Sequence, residues 1–254
     1  MKLTLWQKIE VLESRLLANP LRNSPKLKNL YDQYASKVEL TKRQKEIKKQ
    51  ITDAMAIIQM DELKSRKRVL RRLDFISDTD VVQLKARVAC EISTGDELVL
   101  SELLFNRFFN ELSPELCAAC LSCFIYEGKS EEKGTLREEF AKPFREIQAQ
   151  ARHVAKVSQE SKLALNEEEY IQTFKHQLMD VVFQWCKGTP FAQICKLTDV
   201  YEGELIRLFR RLEELLRQVS QAAKVMGSED LEAKFDEALG KVKRDIVAAQ
   251  SLYL

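Results

Sequence analysis

The chain has 254 residues, of which 45% are hydrophobic and 31% charged, with 41 Lys and Arg against 39 Asp and Glu. That composition excludes a disordered chain, allows one large or two small domains, and with seven glycines and five prolines suits a helix-rich protein. No apolar run approaches the roughly 20 residues of a membrane span, and the start MKLTLWQKIEVLES is too charged for a signal peptide, so a soluble, intracellular protein with no membrane partner is expected.

Residues 1–60 predict an antiparallel helical arm. A first helix ends near Asn19, the segment NPLRNSP turns, and a long helix starts near Lys26. No proline falls between Pro25 and Pro114 and the first glycine is Gly95, so nothing breaks that helix early. Its residues Leu30, Tyr34 and Val38, then Ile47, Ile51 and Met55, keep an apolar stripe suited to a partner helix.

Residues 61–93 read as helix, turn, short strand and helix. The turn is SDTD at Ser77 to Asp80, and VVQL after it is rich in β-formers, a pattern that suits a small winged-helix remnant or connector. Charge is concentrated around the junction of these two parts. From Thr41 to Arg72 eleven Lys and Arg face four acids, a local +7, which fits either a solvated helix surface or a basic arm along phosphates. Within it KSRKRVLRR resembles a nuclear import signal, and a nuclear location is expected.

Residues 94–254 predict a bundle of six to eight helices, making the whole chain all-α. Thr94 with Glu97 reads as a capping box, Ser113-Pro114 as the start of the next helix, and Asn166 with Glu169 as the start of EYIQTFKHQLMDVVFQWC. Between them lies a long helix with Pro143 near its start. Gly227-Ser228 closes a helix ending in RRLEELLRQ, and SEDLEAKFDEALGKVKRDIVAAQ forms the last one.

Several patterns imitate chemistry. Cys117, Cys120 and Cys123 have the C-x-x-C-x-x-C spacing of an iron–sulfur site, but Glu127 stands where the fourth cysteine belongs. Their i, i+3, i+6 placement after a helix start fits buried thiols, and Cys90, Cys186 and Cys195 sit singly in apolar contexts, as in a reducing compartment. Gly128 to Ser130 read GKS, but a phosphate loop needs a glycine at the position of Cys123, and Glu131 and Glu132 would repel a phosphate; a surface loop is expected. His153 and His176 lie on predicted helices without a catalytic constellation. No metal or cofactor is expected in this chain.

The most informative segment runs from Met179 to Arg217. In its last helix Leu205, Leu208, Leu212, Leu215, Leu216 and Val219 form an apolar stripe, while Arg207, Arg211, Glu214 and Gln218 face away from it. FAQICKLTDVYEGELIRLFRRLEELL has the cadence of a helix-turn-helix, so a DNA-binding module is one reading. Five basic residues against four acids over 201–226 are weak for gripping duplex phosphates. A protein-interaction scaffold is another reading.

Longer motifs add a resemblance. VLRRLDF, LKARVACEIS, LMDVVFQWCKG, ICKLTDVYEGELIR followed by RRLEELLRQ, and the terminal KRDIVAAQSLYL resemble the carboxy-terminal region of the exosome-associated DExH-box RNA helicases of the superkiller type. The likeness is to the nuclear branch, the helicase of the polyadenylation complex. Across the chain, IEVLESRLLANPLRNSPKLKNLYDQY resembles the returning stalk of the family's arch, QMDELKSRKRVLRRLDF the end of its winged helix, and the rest its terminal DSHCT bundle. The resemblance implies that single-stranded RNA lies against a helix of that bundle, with Arg211 and Glu214 at the contacting positions and Arg207 and Gln218 on the same face. It also implies the RNA exosome and its polyadenylation-complex adaptors as partners. ATP and magnesium belong to motor domains absent here: neither Asp61-Glu62-Leu63-Lys64 nor Asp96-Glu97-Leu98-Val99 supplies the acidic box. The chain is expected to guide RNA without hydrolysing ATP.

Overall fold

A computed structural model describes residues 5–57, 60–128 and 136–248. Among these residues the chain is all-α, with thirteen helices and no strand. By its internal contacts it divides into two compact units, Met1–Met60 and Asp61–Leu254.

The first unit holds α1 (Leu5–Leu17) and α2 (Leu27–Ile57). Between them Asn19 Oδ1 accepts from the Leu21 N–H at 3.0 Å and Ser24 Oγ from the Lys26 N–H at 3.3 Å, so the polar turn residues satisfy the backbone that the helices leave unpaired. α1 buries no residue, and in α2 Leu30, Tyr34, Val38, Ile47, Ile51 and Met55 are all exposed.

The second unit begins with α3 (Met60–Arg72) and α4 (Leu84–Cys90), joined by the SDTD turn. The short strand expected at VVQL is reduced to an isolated antiparallel bridge between Ile76 and Val82. Asp80, at φ 61°, reverses the chain there, and its carboxylate is taken by Arg71 and Lys67 of α3. Hydrogen bonds from Arg71 and Lys67 hold that carboxyl below its ordinary range. The turn is thereby tied to the helix before it rather than to a sheet partner. Val69, Leu73, Phe75 and Val88 from this stretch join the same core as the helices that follow.

Next come α5 (Glu97–Phe105), α6 (Pro114–Ser122), α7 (Glu138–Glu160), α8 (Glu167–Gln172), α9 (Met179–Cys186), α10 (Phe191–Ile194), α11 (Glu202–Met226), α12 (Glu229–Val242) and α13 (Asp245–Ala248). α11 is the axis of the unit. It packs against α4, α6, α12 and α13, and Leu205, Phe209, Leu212, Leu215, Leu216 and Val219 are fully buried. Each such side chain contributes about 1.5–3 kcal/mol of transfer free energy, so this one face commits the helix to the interior.

Several boundaries follow the punctuation in the sequence. Ser113 caps α6 by accepting from the Leu116 N–H at 3.3 Å, with Pro114 at the first helical position. Gly227, at φ 79°, ends α11 in the left-handed conformation. Others differ. The cap of α5 is Asp96, which accepts from the Val99 N–H at 2.9 Å, rather than Thr94 paired with Glu97. The segment expected as a single helix from Asn166 breaks between α8 and α9, where the Thr173 hydroxyl turns back to the Tyr170 carbonyl and Phe174 and Leu178 are driven into the core. The last helix likewise breaks after Val242, because Arg244 leaves the helical path to donate to the carbonyls of Trp185 and Thr189 and lies 3.5 Å over the Trp185 ring.

Cys117, Cys120, Cys123 and Cys186 are buried in the core, where burial raises all four thiols, Cys117 and Cys186 to about 12. Cys90, the last residue of α4, is exposed, contrary to its apolar sequence context. In the GKS stretch Lys129 and Ser130, and the following Glu131 and Glu132, lie outside the described residues, as does the terminal SLYL.

Candidate nucleic-acid interface

The buried face of α11 fixes what its opposite face presents. Arg207, Arg211 and Glu214 are exposed and, with Gln218, fall at intervals of four, three and four residues, so they form one row along the helix. Arg207 is exposed and makes no hydrogen bond or ion pair with any described residue.

Arg211 is engaged by a residue far away in sequence. Its Nη1 donates to Glu127 Oε1 at 2.9 Å, with the two side chains 45% and 79% exposed. Glu127 lies just after α6, and its own position is held by Lys175, whose Nζ donates to the carbonyls of Glu127 and Gly128 at 2.8 and 2.7 Å. No local pattern joins residues 84 positions apart, so nothing in the sequence marks Glu127 as the partner of Arg211.

Glu214 and its neighbour Glu213 have different tasks. Glu213 is 14% exposed and bound by Arg217 and Lys243, a contact that ties the helix to the chain after α12. Glu214 faces outward, 3.6 Å from the Arg217 guanidinium, and accepts from Gln218 Nε2 at 3.1 Å. Of the two carboxylates, Glu214 is the one available to a ligand.

Gln218 is committed inside the fold. Its Oε1 accepts from the backbone N–H groups of Ser93 and Thr94 at 2.9 and 3.0 Å, while its Nε2 donates to Ser93 Oγ and Glu214. All four of its hydrogen-bonding positions are used. It pins the connection between α4 and α5 to α11 and orients Glu214.

The row can therefore offer a planar cation pre-set by a carboxylate, a second cation, and a carboxylate acceptor. Such a set can pair with phosphates and hydrogen-bond a base or ribose along a single strand. It does not have the shape of a helix-turn-helix. α10, which would be the supporting helix, is a single turn of four residues.

The model of the DSHCT (NUC185) domain matches residues 79–250, most of the chain. The chain belongs to that family. A second model, the Mtr4-like β-barrel domain, matches residues 3–53, whose described part comprises α1, the turn after it and most of α2. The DSHCT chain is 54% identical over 251 residues to the "ATP-dependent RNA helicase mtr4" of Schizosaccharomyces pombe, covering 98% of this chain and 22% of that protein. It is 51% identical over 248 residues to the human "Exosome RNA helicase MTR4", covering 98% of this chain and 24% of the relative. To the "DExH-box ATP-dependent RNA helicase DExH9" of Arabidopsis thaliana it is 40% identical, covering 98% and 25%. The chain thus spans about a quarter of the length of the curated relatives it matches, and it corresponds to their DSHCT-containing region.

Proposed function

We propose that this DSHCT chain is the RNA-guiding region of an ATP-dependent RNA helicase that acts with the RNA exosome in RNA processing and decay. The observation that carries the reading is the exposed row Arg207, Arg211 and Glu214 on a helix whose other face is the core of the unit. It stands in a chain half identical to proteins named as RNA helicases and as an exosome helicase. In this reading Arg211 and Arg207 take phosphates, Glu214 accepts from a base or ribose, and Gln218 keeps Glu214 in place. ATP and magnesium are handled by a motor segment other than this one, the polyadenylation-complex adaptors are the protein partners, and the site of action is the nucleus.

The test is a chimera in which this chain replaces the matching stretch of the S. pombe helicase. A charge-assisted contact is worth about 1.5–3 kcal/mol, so Arg211→Ala or Glu214→Ala should slow duplex unwinding by about tenfold or more, while RNA-stimulated ATP hydrolysis falls much less. Equal loss of both activities, or loss of neither, overturns the assignment. Specific binding of duplex DNA by the purified chain with indifference to single strands would establish the DNA-binding alternative instead. Capture of exosome adaptors with no RNA crosslink near Arg211 would establish a scaffold.

A further inference from the structure

The ion pair between Arg211 and Glu127 sits on the row to which the RNA-guiding role is assigned, and the following inference rests on that reading. Glu127 is held from behind. Lys175 donates to the Glu127 and Gly128 carbonyls and lies 5.7 Å over the Tyr126 ring, so the segment after α6 is fixed to the α8–α9 connection while the Glu127 carboxylate reaches α11. The carboxylate itself is 79% exposed, and so is readily displaced by a competing anion. Glu127 also lines an open groove of about 340 Å³ together with Tyr126, Glu169, Gln172, Thr173 and Lys175.

We infer that Glu127 is an anionic place-holder for a phosphodiester: it keeps the Arg211 guanidinium extended and oriented while RNA is absent, and a backbone phosphate of the strand displaces it on binding. A carboxylate and a phosphate offer the same pair of acceptor oxygens to the guanidinium fork. RNA therefore exchanges one ion pair for another at Arg211, and the affinity this arginine contributes is reduced by competition with Glu127. The device favours release of the strand between steps over tight retention.

The experiment uses the full chain and a fluorescein-labelled 12-nucleotide oligo(U), read by fluorescence anisotropy at about 0.1 M salt, where surface pairs still act. Glu127→Gln removes the competing charge and should tighten binding about 2–5-fold, the range of an exposed ion pair. Arg211→Ala should weaken binding, and adding Glu127→Gln to it should change nothing further. Glu169→Gln, which removes a charge from the same groove without touching Arg211, controls for general repulsion and should shift affinity less than twofold. Unchanged helical circular dichroism in each variant confirms folding. If Arg211→Ala leaves binding unchanged, the RNA-guiding reading itself fails. If Arg211→Ala weakens binding but Glu127→Gln weakens it too or has no effect, the place-holder is overturned and the guiding role stands. Equal gains from Glu127→Gln and Glu169→Gln that persist without Arg211 also overturn it.

Discussion

At the scale of single residues, most polar side chains that enter the fold do so with their partners. Lys85 and Glu102, 15% and 9% exposed, meet in an ion pair, and Lys85 also donates to the Leu73 carbonyl at 2.9 Å, so neither charge is buried alone. His176 is handled differently. It packs against the Phe144 ring at 4.9 Å, and burial lowers its pKa below the ordinary value of 6.5. The unfolded chain therefore takes up the proton first as pH falls, and stability declines from about pH 6.5 down through the folded-state pKa. His176→Phe keeps the ring contact without the titration. Urea unfolding at pH 7.5 and 5.0 should show a drop in midpoint for the natural chain that is smaller in the variant. The interval lies above the range in which Asp80 and Glu115 titrate, since both carboxyls are held below their ordinary values. Glu115 stays low although burial opposes its ionisation, because hydrogen bonds from Lys241, its own backbone and Ser113 outweigh that cost. An equal drop in both chains would remove His176 from the account.

At the scale of elements, the residue that stitches most is Gln218. Alanine there leaves the Ser93 and Thr94 N–H groups without acceptors and frees Glu214. The partly buried Thr94 donor left unpaired, with exposed Ser93 recovering water, should cost about 1–3 kcal/mol, read as a lower urea midpoint with an unchanged slope. Loss below about 0.5 kcal/mol would mean that water replaces the amide at no cost. The same example marks what the sequence could not disclose. Periodicity placed Gln218 correctly on the row with Arg207, Arg211 and Glu214, because burying the Leu205 to Val219 stripe leaves that face outside. It could not show that Gln218 is spent on a backbone 124 residues away, nor that Arg211 meets Glu127. Boundaries were legible where one residue enforces them locally, as Ser113-Pro114 and Gly227 do. They were illegible where a distant contact decides, as at Arg244, which abandons the helix for Trp185. At α5 the cap is Asp96 rather than the expected Thr94, and its second oxygen also receives the Tyr170 hydroxyl from 74 residues away.

At the scale of the molecule, every described residue of the hydrophobic core lies between Val69 and Val247. The second unit thus owns its core, with Trp185 stacked on Phe209 and its indole N–H donating to the Val242 carbonyl at 2.9 Å to close the end of the chain against α9. A segment of that size buries enough surface to fold cooperatively by itself. The first unit has nothing equivalent: α1 buries no residue, Trp6 is 80% exposed, and the long stripe of α2 is open. Helices without a packed face are marginal in water, so their order depends on cover from elsewhere. Two outcomes follow for the separated pieces. Residues 61–254 should melt in one cooperative transition within about 2 °C of the full chain, since a change of 1 kcal/mol moves such a domain by about 2–4 °C. Residues 1–60 alone should show less helical circular dichroism at 25 °C than two complete helices would give, with helicity rising as protein concentration brings apolar stripes together. A loss of more than about 5 °C in the first piece, or a sharp concentration-independent transition in the second, would show that the arm carries stability the core does not explain.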